Sequence, residues 1–328
     1  MTTLDLGDRS ETEGLDVTAP EATAEIAARS PLQLFWRRLK GDKVAMTALV
    51  FVILLILAAV FAPLIVKLVG ARPPNEQSTK FIDPAFGTAT GPSSENLFGV
   101  DTLGRDLFSR VLYGARVSLE VALIATAISV SIGVTVGMVA GYFRGPVDMI
   151  LSRFIDVLLG FPILLLAIGL AAACSLGKGC AGGLIKPGIT VVIFVIAFVN
   201  WTYIARIIRG QVLSMREKEF IEAARSLGAS NRRIIFREIL PNLVAPIIVY
   251  STLIIPQNIL FEAALSFLGV GVQPPNASWG AMLSDATSIF DTAWWYMLFP
   301  GAALLLTVLA FNLLGDGLQD ALNPRGGR

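Results

Sequence analysis

Six long apolar runs without a charged residue constrain the fold of this chain more than any other feature. They are Val44–Val66, Val121–Phe143, Val157–Gly177, Pro187–Ala205, Leu243–Phe261 and Thr292–Gly315. A helix needs about 20 residues to cross the hydrocarbon core of a bilayer, and each run approaches or exceeds that length. The sequence therefore predicts an all-α integral membrane protein with six transmembrane helices.

The composition excludes several other classes of protein. Hydrophobic residues make up 54% of the chain and charged residues only 16%, against about 25% charged in an ordinary soluble domain. The chain has no histidine, which excludes histidine-based catalysis and histidine-ligated metal sites. Two cysteines cannot form a four-thiolate zinc site, so no metal site is predicted. A net charge of +1 gives no electrostatic reason to expect nucleic acid as a partner.

Two segments precede the first apolar run. Residues 1–30 are polar and acidic and lack the apolar stretch of a signal peptide, so we expect a disordered cytoplasmic tail. Residues 31–43 place apolar side chains on one helical face and Arg37, Arg38 and Lys40 on the polar side. This pattern favours an amphipathic helix in the membrane interface. A plain juxtamembrane linker is the alternative.

The distribution of Lys and Arg predicts the orientation. Basic residues are more numerous in the segments that lie on the side of the N-terminus, which places both termini in the cytoplasm. The predicted organisation is a first transmembrane helix at 44–70, an outer loop at 71–114, a core domain at 115–320 and a cytoplasmic tail at 321–328. In this orientation Cys174 and Cys180 lie on the outer side of the membrane. They could form a disulfide there or remain a buried pair of free thiols, and the sequence does not decide between these alternatives.

The most specific pattern lies in the long inner loop, residues 207–242. Phe220, Ala223, Ala224 and Leu227 recur at helical spacing, and Gly228 follows them. A second amphipathic segment carries Arg232, Arg233 and Arg237 and is expected to end at Pro241. The loop is thus predicted to form a helix, a glycine turn and a second helix at the cytoplasmic face. Such an element could lie on anionic lipid or bind in the groove of a partner protein.

The residues of this loop resemble the EAA loop of ABC importer permeases. The matching positions are Glu222, Ala223, Ala224, Gly228, Leu240 and Pro241, and the Pro follows the Glu by 19 positions. Glu238 stands where that family usually has a hydrophobic residue. The resemblance implies a type I ABC importer permease fold, in which this cytoplasmic loop fits a cleft on an ATPase subunit and couples ATP-driven closure to the membrane helices.

Three further stretches are similar to the second permease subunit of the peptide/nickel subgroup. They read LFGVDTLGRDLFSRVLYGARVSL from Leu97, EAALSFLGVGVQPPNASWGAML from Glu262 and FNLLGDGLQDALNPR from Phe311. The first carries Gly99, Asp101, Gly104, Arg105, Asp106 and Arg110. We predict that these charged residues pair with one another as part of a structural scaffold outside the membrane. A substrate-binding site is the alternative. Interfacial placement or pairing is expected for Glu262, with a place in the transport pathway as the alternative.

The resemblance also implies an assembly. The partners would be a homologous permease forming a heterodimer, two cytoplasmic ATP-binding subunits and an extracytoplasmic solute-binding protein in the bacterial cytoplasmic membrane. This chain lacks a phosphate-binding loop motif, so ATP and Mg would bind to the partner ATPases and the chain itself would carry neither cofactor nor catalytic residue. The expected cargo is a di- or oligopeptide, with nickel or another small solute as the alternative. Two alternatives come from other classes of protein. The uncharged centres of the apolar runs disfavour an ion-coupled transporter. The absence of paired catalytic groups in the sequence disfavours a membrane enzyme.

Overall fold

The computed structural model describes residues 31–85, 87–175 and 179–322. The predicted tail at 1–30 and most of the predicted tail at 321–328 lie outside these ranges. Within them the backbone forms helices and isolated β-bridges but no strand. The helices are α1 (Pro31–Gly41), α2 (Lys43–Val60), α3 (Ala62–Val69), α4 (Leu107–Phe143), α5 (Gly145–Leu159), α6 (Ile163–Ser175), α7 (Ile189–Arg216), α8 (Glu219–Ser226), α9 (Asn231–Arg233), α10 (Leu240–Phe267), α11 (Trp279–Ala286) and α12 (Trp294–Leu322).

Five helices of the described part are long and apolar enough to cross a membrane. They are α2, α4, α7, the continuous helix Asn231–Phe267 and α12. A sixth span exists if α5 and α6, which meet at an angle of 87°, are counted as one. The predicted all-α membrane fold is confirmed, but the bounds of the spans differ from the apolar runs.

The third predicted span, Val157–Gly177, is wrong as a single straight helix. Its first residues belong to α5, and the chain turns at Gly160–Pro162 before α6 begins. Pro162 disfavours the helical conformation of the residue that precedes it, which ends α5 here. The first predicted span, Val44–Val66, is likewise divided at Phe61, and Pro63 lies in the first turn of α3, where its missing N–H costs nothing.

Helix α4 begins at Leu107, well ahead of the apolar run that predicted it. Asp106 caps it, because its carboxylate accepts a hydrogen bond from the Ser109 N–H at 2.8 Å. The second turn lies against Trp279 of α11, whose indole ring is next to Gly114 and whose N–H donates to the Val111 carbonyl oxygen at 3.0 Å. Part of the predicted outer loop is therefore helix, held by contacts that the hydropathy of the segment does not reveal.

The backbones of α4 and α7 pack in close contact along three glycines. A Cβ atom would lie 2.7 Å from Ile204 Cβ if placed on Gly133, and 2.8 Å from Val212 Cβ if placed on Gly141. Gly137, between them, faces the Ala205 carbonyl oxygen. Small residues four positions apart allow this approach, as in other membrane helix pairs. Helices α4 and α7 therefore form one closely packed unit.

Helices α7 and α10 both extend beyond their predicted spans. α7 continues to Arg216, so the first residues of the predicted loop 207–242 are helical. The prediction that Pro241 ends a helix is wrong, since the helix runs without interruption from Asn231 to Phe267. A π-helical turn at Ile234–Ile239 precedes Pro241. This wider turn accommodates a proline ring that would clash with a carbonyl of a regular α-helix.

Candidate functional site

The predicted helix–turn–helix is present as α8 and the segment 231–239, which we call the α8–α9 hairpin (residues 219–239). α8 ends in a Schellman motif: the Ala229 N–H donates to the Ala224 carbonyl oxygen at 3.0 Å and the Gly228 N–H to that of Arg225 at 2.9 Å. Gly228 has φ +78°, a left-handed conformation that side-chain-bearing residues rarely adopt. The turn therefore depends on glycine at this position.

One face of the hairpin is buried against the ends of the long helices. Ile221, Ile234 and Ile239 are fully buried and pack with Val212 and Met215 of α7. These three isoleucines anchor the hairpin, since burying a side chain of this size contributes about 1.5–3 kcal/mol. The hairpin is thus a packed part of the protein and not a free loop.

The opposite face of the hairpin presents apolar side chains outward. Leu227, at the tip of the turn, is 88% exposed, and Phe236 is 55% exposed. Phe220 and Ala223 are also exposed. An apolar surface on a protruding, well-anchored element is typical of an interaction site.

The charged residues predicted for this site surround the exposed face. Glu222, Arg232, Arg233 and Arg237 are exposed, and none of them forms an ion pair with another described residue within 4 Å. Glu222 lies in the first turn of α8, where the helix dipole favours a negative charge. Leu240 is half-buried and Pro241 exposed at the start of α10. The predicted residues are therefore brought together at one end of the molecule.

Sequence reasoning missed Tyr142, which lies at the base of the hairpin. Its hydroxyl donates to Asn231 Oδ1 at 2.8 Å, and its main-chain oxygen accepts a hydrogen bond from Arg216. The guanidinium carbons of Arg216 and Arg225 lie 5.6 Å and 5.8 Å from the centre of its ring. Nothing in the local sequence marks Tyr142, because its partners Arg216, Arg225 and Asn231 lie at least 74 positions further along the chain.

The predicted scaffold around Asp101 lies at the other end of α4. Asp101 is fully buried and its carboxylate lies 2.6 Å from Arg105 Nε and 3.5 Å from Arg110 Nε. The same carboxylate accepts hydrogen bonds from the N–H groups of Leu103 and Arg105. Gly99 and Gly104 both have positive φ angles. Three of the four predicted charges, Asp101, Arg105 and Arg110, are thus paired with one another.

Asp106 differs from Asp101 in having no cation within ion-pair distance among the described residues. Burial raises the pKa of the Asp106 carboxyl, although hydrogen bonding to Ser109 and the charge of Arg72 act in the opposite direction. Its second oxygen, Oδ2, is buried without a hydrogen-bond partner in the described part of the chain. The N-cap therefore carries a desolvation cost.

Glu262 is fully buried between α10, α4 and the segment that leads to α11. Its placement near the membrane interface stays a prediction. The hydroxyls of Ser118 and Ser266 donate to its two oxygens, each at 2.7 Å. The Val272 N–H in turn donates to Ser266 Oγ at 3.0 Å. No Lys or Arg among the described residues pairs with it. The hydrogen bond from Ser118 to Glu262 thus connects α4 to α10.

A second polar network connects the interior of the long helices. The Asn200 side chain donates to Asn258 Oδ1 at 2.5 Å, and Asn258 donates to Thr126 Oγ1 at 2.7 Å. This network joins α7, α10 and α4. Cys174 and Cys180 form a disulfide at the end of α7 remote from the hairpin.

The comparisons with known proteins agree with the resemblance found in the sequence. Residues 133–327 match the family described as binding-protein-dependent transport system inner membrane component. Residues 30–83 match the N-terminal transmembrane domain of oligopeptide transport permease C. Two curated relatives extend the match over nearly the whole chain. The dipeptide transport system permease protein DppC of Alkalihalophilus pseudofirmus is 41% identical over 94% of each chain. The glutathione transport system permease protein GsiD of Escherichia coli is 44% identical over 90% of this chain and 91% of the relative.

Solved structures support the fold. Two crystal forms of the inward-facing MetNI methionine ABC transporter align with TM-scores of 0.54 and 0.56 at 18% identity. The second covers 66% of this chain and 98% of the other. At this identity the alignment supports the fold alone. Together with the family matches, these findings show that the chain belongs to the binding-protein-dependent ABC importer permeases of the peptide/nickel group and is a multi-pass membrane component of a transporter, not an enzyme.

Proposed function

We propose that this chain is the permease subunit of an importer for small peptides. The observation that carries the proposal is the match over at least 90% of both chains to permeases named for dipeptide and for glutathione transport. Both cargoes are short peptides, which favours this class over nickel or another small solute. Specificity would be shared with the binding protein that delivers the cargo.

The exposed face of the α8–α9 hairpin is the proposed docking surface for an ATPase subunit. Its exposed apolar tip, around Leu227 and Phe236, would enter a groove on the partner. Arg232, Arg233 and Arg237, which form no ion pair with another described residue, would form charge-assisted hydrogen bonds at the rim. Because the second limb of the hairpin continues directly into α10, displacement of the hairpin displaces a membrane-spanning helix.

The proposed assembly follows from this surface. A homologous permease would complete a heterodimer, two ATPase subunits would bind ATP and Mg, and an extracytoplasmic binding protein would present the cargo. The hairpin and both termini would face the cytoplasm of a bacterium, and the Asp101 scaffold and the Cys174–Cys180 disulfide would face outward. Transport would proceed by alternating access as the hairpin moves.

The test is co-purification followed by uptake. The operon partners are expressed with the tagged chain, purified in mild detergent and reconstituted with a labelled dipeptide outside the vesicles and ATP at the hairpin side. We expect an ATPase subunit to co-purify and uptake to require ATP. A combined Leu227→Asp and Phe236→Asp variant should lose the ATPase subunit, whereas the matched change Leu184→Asp, on the exposed loop between α6 and α7, should retain it. Uptake by the chain alone without nucleotide would contradict the proposal.

A further inference from the structure

The base of the α8–α9 hairpin contains one residue of α4, Tyr142, that contacts three other helices. Tyr142 is the penultimate residue of α4, and its side chain is 4% exposed. Its hydroxyl reaches Asn231 of α9, its ring lies beneath Arg225 of α8, and its main-chain oxygen accepts from Arg216 of α7. Both limbs of the hairpin and both helices of the α4–α7 unit therefore meet at this side chain.

The contacts around Tyr142 differ in kind from the apolar packing beside it. Ile221 and Ile234 pack through non-directional contacts that allow side chains to slide or repack. The bond from the Tyr142 hydroxyl to Asn231 is directional and fixes the position of α9 relative to the end of α4. A nearby ion pair, between Arg144 and Glu217, joins the ends of α4 and α7 themselves.

We propose that Tyr142 is the positioning residue that makes the α8–α9 hairpin move together with the α4–α7 unit. The close glycine contacts make α4 and α7 one body, and Tyr142 attaches the hairpin to that body. This inference rests on the proposed coupling function of the hairpin. The chain itself joins α7 to α8 through two residues and α9 to α10 without a break, and Tyr142 adds a link from the hairpin to α4.

The hydrogen bond and the aromatic ring can be separated by substitution. Tyr142→Phe keeps the ring and its contacts with the arginines but removes the hydroxyl. Asn231→Ala removes the acceptor, and Asn231→Asp keeps an acceptor oxygen for the same hydroxyl. Tyr203→Phe is the matched control, because Tyr203 is an exposed tyrosine of α7 that loses the same atom without a described partner.

The experiment measures a distance and does not depend on the cargo. The two native cysteines are joined in a disulfide, so spin labels attach in this chain only to cysteines introduced at Ser226 on the hairpin and Ile128 on α4, both exposed. The labelled chain is assembled with cysteine-free partner subunits in nanodiscs. Electron–electron resonance distances are recorded without nucleotide and after trapping with ATP and vanadate.

We expect the distance between the two labels to be the same in both states of the parent, the Tyr203→Phe control and Asn231→Asp. In Tyr142→Phe and Asn231→Ala, trapping should shift the distance beyond the width of the parent distribution. ATP-driven transport should also fall by about threefold to tenfold relative to ATP hydrolysis, the range that corresponds to one hydrogen bond. The double variant Tyr142→Phe/Asn231→Ala should be no worse than either single variant, because both remove the same bond.

Unchanged distances in Tyr142→Phe and Asn231→Ala would overturn the role of Tyr142. If the ATPase subunit assembles and the complex is trapped, but the label distances in these two variants stay unchanged, only the role of Tyr142 is overturned. The proposed function then stands. If no ATPase subunit assembles with the parent chain, both the proposed function and this inference are overturned.

Discussion

Gly137 of α4 lies so close to Ala205 of α7 that a methyl group on Gly137 would meet the Ala205 carbonyl oxygen at 2.6 Å. A backbone oxygen cannot be moved by a side-chain rotation, so the two helices would have to separate. This single contact makes the α4–α7 unit sensitive to the smallest possible substitution.

We therefore predict that Gly137→Ala destabilises the protein by about 1–3 kcal/mol, the usual cost of overpacking. The matched control is Gly210→Ala in α7, where a Cβ meets no atom within 4 Å. That substitution should be neutral or stabilise the helix by up to about 1 kcal/mol. Thermal unfolding of the detergent-solubilised chain, followed by size-exclusion chromatography, measures both. Equal unfolding temperatures for the two variants would contradict the close packing.

Gly228 provides a prediction about coupling. Gly228→Val places a β-branched residue in a left-handed turn, which costs at least about 1–2 kcal/mol locally and should reshape the tip of the hairpin. We expect normal membrane insertion with loss of ATP-driven uptake. Gly228→Asn, which tolerates this conformation, should retain most of the uptake. Full uptake by the valine variant would show that the turn is not needed.

Asp106 provides a prediction about charge and pH. Asp106→Asn keeps a cap acceptor and removes the cost of burying a carboxylate, so it should be neutral or stabilising. Asp106→Ala loses the cap and should destabilise by about 1 kcal/mol. Because burial raises the pKa of Asp106, the folded protein holds this proton more tightly than the unfolded chain. The contribution of Asp106 to the free energy of unfolding therefore falls as the pH rises from the ordinary carboxyl pKa through the raised one.

The pH effect is measured as the difference in unfolding temperature between the parent and Asp106→Asn across the acidic range. That difference should shift in favour of the asparagine variant as the pH rises. A shift in the opposite direction would mean that the folded state stabilises the ionised carboxylate.

The sequence predicts the central part of each membrane span but not the residues at which the span begins and ends. Hydrocarbon demands apolar side chains, so runs such as Val121–Phe143 fall inside α4. The first turns of α4 contain Ser109 and Arg110, which are buried by contacts with the preceding segment, and no local pattern reveals that. Pro162 breaks the third run, whereas Pro241 does not interrupt the helix Asn231–Phe267, because the effect of a proline depends on the turn before it.

The site could be predicted in part. Gly228 and the charged residues of the hairpin follow local patterns, and the structure places them together. Tyr142 and Asn231 could not be paired in advance, because 89 residues separate them. The four-residue spacing of Gly133, Gly137 and Gly141 was the signal that could have identified the α4–α7 contact.

Glu262 provides a prediction about buried polar groups. Glu262→Leu removes the acceptor for Ser118 and Ser266 and leaves their hydroxyls unsatisfied, which should cost about 1–3 kcal/mol. Glu262→Gln keeps one carbonyl acceptor and should cost less. The control is Glu120→Gln, on an exposed position of α4, which should leave the unfolding temperature unchanged. A leucine variant as stable as the parent would show that these hydrogen bonds contribute nothing.

Helix α4 has one further consequence. Its 37 residues extend about 55 Å at 1.5 Å per residue, with the Asp101 scaffold at one end and Tyr142 at the other. A stiff rod pivoting near its middle swings its two tips in opposite directions. A tilt of the helix that begins at one end therefore also moves the other end. No series of side-chain rearrangements across the bilayer is required.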